Sequence, residues 1–94
     1  MEIEQIKSII ESILFAAGRA IKITEFMSVL ELGKDEIMPI MENLINEYKA
    51  KERGIEIIKI NDGFQMCTKK ENYEYLYQIF DIKCSTRNTF YNCI

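Results

Sequence analysis

The chain has 94 residues, 48% apolar and 29% charged, with a formal charge of -3 and neither histidine nor tryptophan. That length fits one small globular domain, which buries about 60 to 65% of the surface its unfolded chain exposes. Ten basic against fourteen acidic side chains in residues 1–80 give no electrostatic reason to seek DNA phosphates or an anionic membrane, and the missing histidine removes the commonest general base and metal ligand.

From Glu2 to Ala17, apolar residues Ile3, Ile6, Ile10, Ile13 and Ala17 recur at three- and four-residue steps, and Gly18 follows as a stop. The spacing predicts an amphipathic helix. Next, "IKI", residues 21–23, is a short β-branched strand, and Thr24 is the expected N-cap of a second helix, "TEFMSVLEL", closed by Gly33. A third helix is expected from Asp35 to Lys49. Asp35 and Glu36 suit its positive end, Ile37, Ile40, Met41, Leu44 and Tyr48 share one face, and Pro39 falls just inside the first turn.

After Arg53 and Gly54, "IEIIKI", "NDG" and "FQMCT" read as a β-hairpin. Last, "KKENYEYLYQIF" sets Tyr73, Leu76, Tyr77 and Phe80 at helical spacing, a fourth helix. The order helix, short strand, helix, helix, β-hairpin wing, helix predicts a winged helix-turn-helix, an α+β fold that is mostly α. In it, "IKI" can join the hairpin as a third strand.

In DNA-reading members of that fold the third helix enters the major groove. Here its outer face presents Pro39, Glu42, Asn43, Asn46 and Glu47, with Lys49 only at the far end. Two carboxylates would meet the phosphates, so the asparagines are expected to solvate an exposed face rather than read bases. Near the wing, Lys59, Lys69 and Lys70 stand among Glu56, Asp62 and Glu71. A winged-helix transcriptional regulator is therefore the alternative reading, and the charges oppose it.

Catalysis is not expected. Cys67, Cys84 and Cys93 lack C-x-x-C spacing, so neither a zinc site nor a disulfide framework is foreseen, and three single cysteines fit a reducing cytoplasm. Cys67, inside a hairpin strand, reads as a small packed residue. Gly18, Gly33, Gly54 and Gly63 are isolated and build no phosphate-cradling loop. The longest apolar run, "ILFAA", falls far short of the roughly 20 residues that span a bilayer, and "MEIEQIK" is not a secretory signal.

Apolar surface is left over. Phe15 lies about 180° from Ile6 at 100° per residue, so it either tucks beneath the wing or the fourth helix, or belongs to a subunit interface. Met38 and Ile45 widen the third helix's apolar stripe to roughly 160°. Phe15, Met38 and Ile45 are the candidate partner-interface residues. The surplus points to a protein-binding winged helix that self-associates.

"IESILFAAGRAIKITEFMSVL", "RGIEIIKINDGFQMCTK" and "ENYEYLYQIF" resemble the first winged helix of segregation and condensation protein B, over residues 9 to about 80. Ala20 stands where that family usually has proline, which should loosen the turn. The resemblance implies a homodimer, binding of the kleisin subunit (segregation and condensation protein A) and through it the SMC protein, in chromosome condensation and segregation. It implies a nucleoid-associated role, no enzymatic activity, and no metal or cofactor.

Residues 81–94 depart from that pattern. Cys84 to Ile94 can be encoded so that the neighbouring frame spells Ser-Ala-Ala-Leu-Glu-Thr-Leu-Ser-Ile-Ile-Ala, similar to the opening of the family's second winged helix. Residues 1–80 are thus expected to be the winged-helix domain. The remainder is expected to be an out-of-frame start of a missing second one, in which Cys84 and Cys93 have no selected role.

Overall fold

A computed structural model describes residues 1–80; the expectations for Cys84, Cys93 and the 81–94 tail lie outside the described residues. Its elements run α1 (Ile3–Ala17), β1 (Ile21–Lys22), α2 (Ile23–Leu30), α3 (Lys34–Glu47), β2 (Ile55–Ile60), β3 (Gly63–Thr68), a 3-10 turn (Lys70–Asn72) and α4 (Tyr73–Ile79). This is the predicted winged-helix order, mostly helical with a small three-stranded antiparallel sheet. β3 lies in the middle, with β2 in register from Ile55–Thr68 to Ile60–Gly63 and β1 paired through Ile21–Phe64 and Lys22–Gly63.

α1 turns Ile6, Ile10 and Leu14 into the core, flanked by Ile9, Ile13 and Ala17. The predicted stripe was centred one step away: Ile3 is exposed and Leu14 is fully buried. Gly18, at φ 68°, ends the helix in the left-handed conformation that costs glycine least. The turn that follows is held despite Ala20. Arg19 donates from Nη1 to the Ala20 carbonyl at 3.1 Å, and grips Glu25 with both nitrogens at 3.1 and 3.2 Å.

α2 begins one residue before the expected cap. Its N-cap is Lys22 rather than Thr24, because the Lys22 backbone N–H donates to Glu25 Oε2 at 3.0 Å. Glu25 therefore stands as the returning carboxylate of a capping box. Its carboxyl is lowered from 4.5 to about 2, first by the Arg19 hydrogen bonds and then by the Lys22 N–H. At the other end, the left-handed residue is Glu31, φ 55°. Gly33 does not close α2; it caps α3, donating its N–H to Glu36 Oε1 at 2.9 Å and accepting at its carbonyl from Glu36 and Ile37. Gly33 is therefore not the stop of α2, since two residues separate it from the helix end.

α3 buries Ile37, Met41 and Leu44, and Tyr48 closes the face, while Ile40 sits half-buried. Because the helix starts at Lys34, Pro39 falls in the second turn instead of the first. There its missing N–H leaves the Asp35 carbonyl to solvent on an exposed side, a smaller cost than in the interior. With three buried apolar side chains each, α1, α2 and α3 gain roughly 5 to 9 kcal/mol apiece before the entropy of ordering is subtracted.

The hairpin turn has one left-handed residue, Asn61 at φ 55°. Gly63 is needed for another reason: a Cβ there would lie 2.6 Å from the Ile21 carbonyl oxygen, so glycine lets β1 approach β3. Ile23 N–H then donates to the Asp62 carbonyl at 2.9 Å, which leads the chain from β1 into α2. Phe64 and Met66 point into the core and Cys67 is buried on the other sheet face, its thiol pushed up to about 11 by burial and then by Glu56.

α4 departs most from expectation. Its seven residues follow the 3-10 turn, their chief neighbour, and none of them is buried. Tyr73 and Leu76 are half-covered, whereas Tyr75, Tyr77, Ile79 and Phe80 are exposed.

Candidate interaction surfaces

The outer face of α3 is already engaged with its own domain. Lys7 Nζ, on α1, donates to Asn43 Oδ1 at 2.9 Å and pairs with Glu47. One of the two possible base-reading asparagines is thereby tied to a neighbouring helix, beside a carboxylate. The basic side chains expected near the wing are also fewer than the sequence suggested. Lys69 is buried, donating from Nζ to the Ala50 carbonyl at 2.8 Å and from its backbone N–H to Gly54. Lys59 and Lys70 are left at the surface. Such a face lacks the dense phosphate contacts that hold a recognition helix in its groove.

Among the described residues, no three His, Cys, Asp or Glu side chains come together as a metal site, and no helix is long and apolar enough to cross a membrane.

Two clefts are walled mainly by apolar side chains. The larger, about 410 Å³, lies between the end of α1 and α2, where Ile13, Ala16, Ala17, Ile21, Phe26 and Val29 form the walls and the Arg19–Glu25 pair stands at the rim. Val29 is 64% exposed there. The signal for this cleft was in the sequence: Ala16 and Ala17 are small where two helices meet, and Val29 is off the α2 core face. No bulky outward side chain marks it in the sequence.

The second cleft, about 230 Å³, is bounded by Glu11, Ser12 and Phe15 of α1, Tyr48, Ile55 and Met66. Phe15 thus leans toward the wing, yet it is not tucked beneath it, remaining 61% exposed. Tyr48, behind it, is fixed by the Arg53 guanidinium 5.5 Å above its ring. Met38 and Ile45 behave differently from Phe15. Both are half-buried and packed against the core's edge, on α3, and the structure does not bring them to the Phe15 cleft.

Comparison with known proteins places this geometry. A family model described as segregation and condensation complex subunit ScpB matches residues 8–89. Segregation and condensation protein B of Alkaliphilus oremlandii is 44% identical over 80 residues, 85% of this chain and 43% of that protein. The protein of the same name from Clostridioides difficile is 44% identical over 85 residues, covering 88% and 48%. The chain spans less than half the length of these relatives. A crystal structure of a dimer of an ScpB N-terminal domain complexed with an ScpA peptide matches at a TM-score of 0.79 and 32% identity, over 83% of this chain and 98% of that one. ScpB from Mycobacterium tuberculosis, at 14% identity and a TM-score of 0.78 over 84% of this chain and 49% of that one, shares the fold.

Proposed function

The chain belongs to the ScpB family of segregation and condensation complex subunits, and on that footing we propose that it is a non-enzymatic accessory subunit of the bacterial SMC complex. It pairs with a second copy of itself and binds the kleisin subunit, segregation and condensation protein A, acting in chromosome condensation and segregation in the cytoplasm, at the nucleoid. One observation carries this reading. Nearly all of a domain that forms a dimer and takes up an ScpA peptide, 98% of its chain, has a counterpart here at 32% identity. The surfaces agree with it: spare apolar side chains at Phe15, Val29 and along α4, and an α3 face tied down by Lys7.

Partner contact is assigned to Phe15, whose ring is mostly uncovered, and to the outer halves of Met38 and Ile45. Direct sequence-specific DNA binding is not part of the role. The test is fluorescence anisotropy of a labelled peptide from the middle segment of the cognate ScpA, titrated with the purified chain, beside a gel shift on duplex DNA at rising salt. Saturable peptide binding with no salt-sensitive shift is expected. A shift that weakens steeply with salt, with the peptide ignored, would establish the DNA-binding alternative instead.

A further inference from the structure

α4 is a short helix with little cover among the described residues. Isolated helices shorter than about 12 to 15 residues are marginal in water, and this one has seven, none of them buried. Its apolar residues also lie on two sides. At 100° per residue Tyr75 and Ile79 fall within about 40° of each other, while Leu76 and Phe80 turn away from them. The half-covered side leans on the domain: Tyr73 shares a depression with Ile58 and Cys67 on the sheet face opposite the core. The side bearing Tyr75, 61% exposed, and Ile79, 78% exposed, has no such cover.

The Phe15 cleft has the complementary defect. At about 230 Å³ it is smaller than the 300 to 1,000 Å³ of ordinary small-molecule pockets, and its apolar walls, Phe15, Ile55 and Met66, suit one or two inserted side chains. One molecule therefore carries both a helix whose Tyr75–Ile79 side is uncovered among the described residues and an apolar notch.

We propose that these two features meet between two copies, α4 of each chain laying its Tyr75–Ile79 side into the Phe15 cleft of the other. The inference rests on the homodimer proposed above, and the occupant follows from it. The matching domain forms its dimer with a chain of which 98% is represented here, so the pairing surface is sought within these elements and not in a further domain. Two reciprocal contacts of this kind close under a twofold axis and leave no open end for further copies to add.

Sedimentation velocity of Phe15→Asp and Ile79→Asp chains, singly and mixed, tests the arrangement. Both residues are exposed, so the fold survives either change, as circular dichroism will confirm. Each variant alone should dissociate about 10- to 100-fold more readily than the parent chain, since every contact in its dimer is damaged. An equimolar mixture should recover dimers, because one of its two contacts pairs an intact Phe15 cleft with an intact α4. Dimers weakened in both variants but not recovered on mixing would overturn the reciprocal docking and leave the homodimer standing. Variants that dimerise like the parent would overturn it as well, and place α4 on its own chain or on the kleisin peptide. A parent chain that stays monomeric at all concentrations would refute the homodimer and this interface together.

Discussion

α1, α2 and α3 each bury three apolar side chains, whereas α4, with three tyrosines in seven residues, buries none. Apolar side chains recur at helical spacing in all four. The difference is that the first three face one another and β3 across a shared core, while α4 leaves that core after a 3-10 turn, which is its chief neighbour among the described residues. Helical periodicity states that a face must be covered. It does not state that the cover comes from the same molecule.

The largest effects should fall in the body. Phe26, with no exposed surface, fills the space between α1 and α2. Phe26→Ala should cost about 3 to 5 kcal/mol in urea unfolding. A described body of this size has a stability of roughly 4 to 12 kcal/mol, so the variant should be substantially unfolded in mild denaturant. Gly63→Ala should cost about 1 to 3 kcal/mol, because its Cβ meets a backbone carbonyl that cannot swing aside. Loss of the Ile23–Asp62 amide's exchange protection would locate the damage at β1.

Which of these features the sequence discloses depends on their range. The α1 and α3 stripes, the Gly18 stop and the hairpin are set by neighbours three to six residues away, and all are legible. Ile3 stands in the predicted stripe where Leu14 belongs, because a wheel fixes a face only to within a residue or so and the helix's first turn extends beyond the core. Gly33 is ambiguous for a similar reason: a glycine between two helices serves equally well as the stop of one or the cap of the next. Only Glu31's φ and the Glu36 hydrogen bond decide between them. Lys69 reads as a wing cation in the sequence, whereas its partner is the Ala50 carbonyl, nineteen residues away. Phe15 was legible as surplus, but the notch it borders requires Ile55 and Met66 from the wing.

A smaller effect sharpens the comparison at the α2 entrance. Glu25 is depressed in the folded chain, so its contribution is fully present above its ordinary value of 4.5 and is lost as pH falls toward about 2. Acid titrations of the parent and Glu25→Gln should differ above that window and converge below it. The difference is modest, because the pair is solvent-exposed. Smaller again is Glu31→Gly. It relieves a left-handed non-glycine residue at the exposed end of α2 and should stabilise the body by about 0.5 kcal/mol in thermal unfolding. Smallest of all, Ile79→Ala should change the unfolding of dilute, monomeric chain by less than about 0.5 kcal/mol, the mark of a helix outside the core.

Amide hydrogen exchange of α4, measured at two protein concentrations on either side of the proposed dimer's dissociation constant, puts the contrast most directly. Residues 74–79 should be protected at the high concentration and exchange freely at the low one, while amides of α1, α3 and β3 keep their protection at both. Protection of α4 that is the same at both concentrations would show that its own chain holds it, and would contradict the assignment of its cover to a second copy.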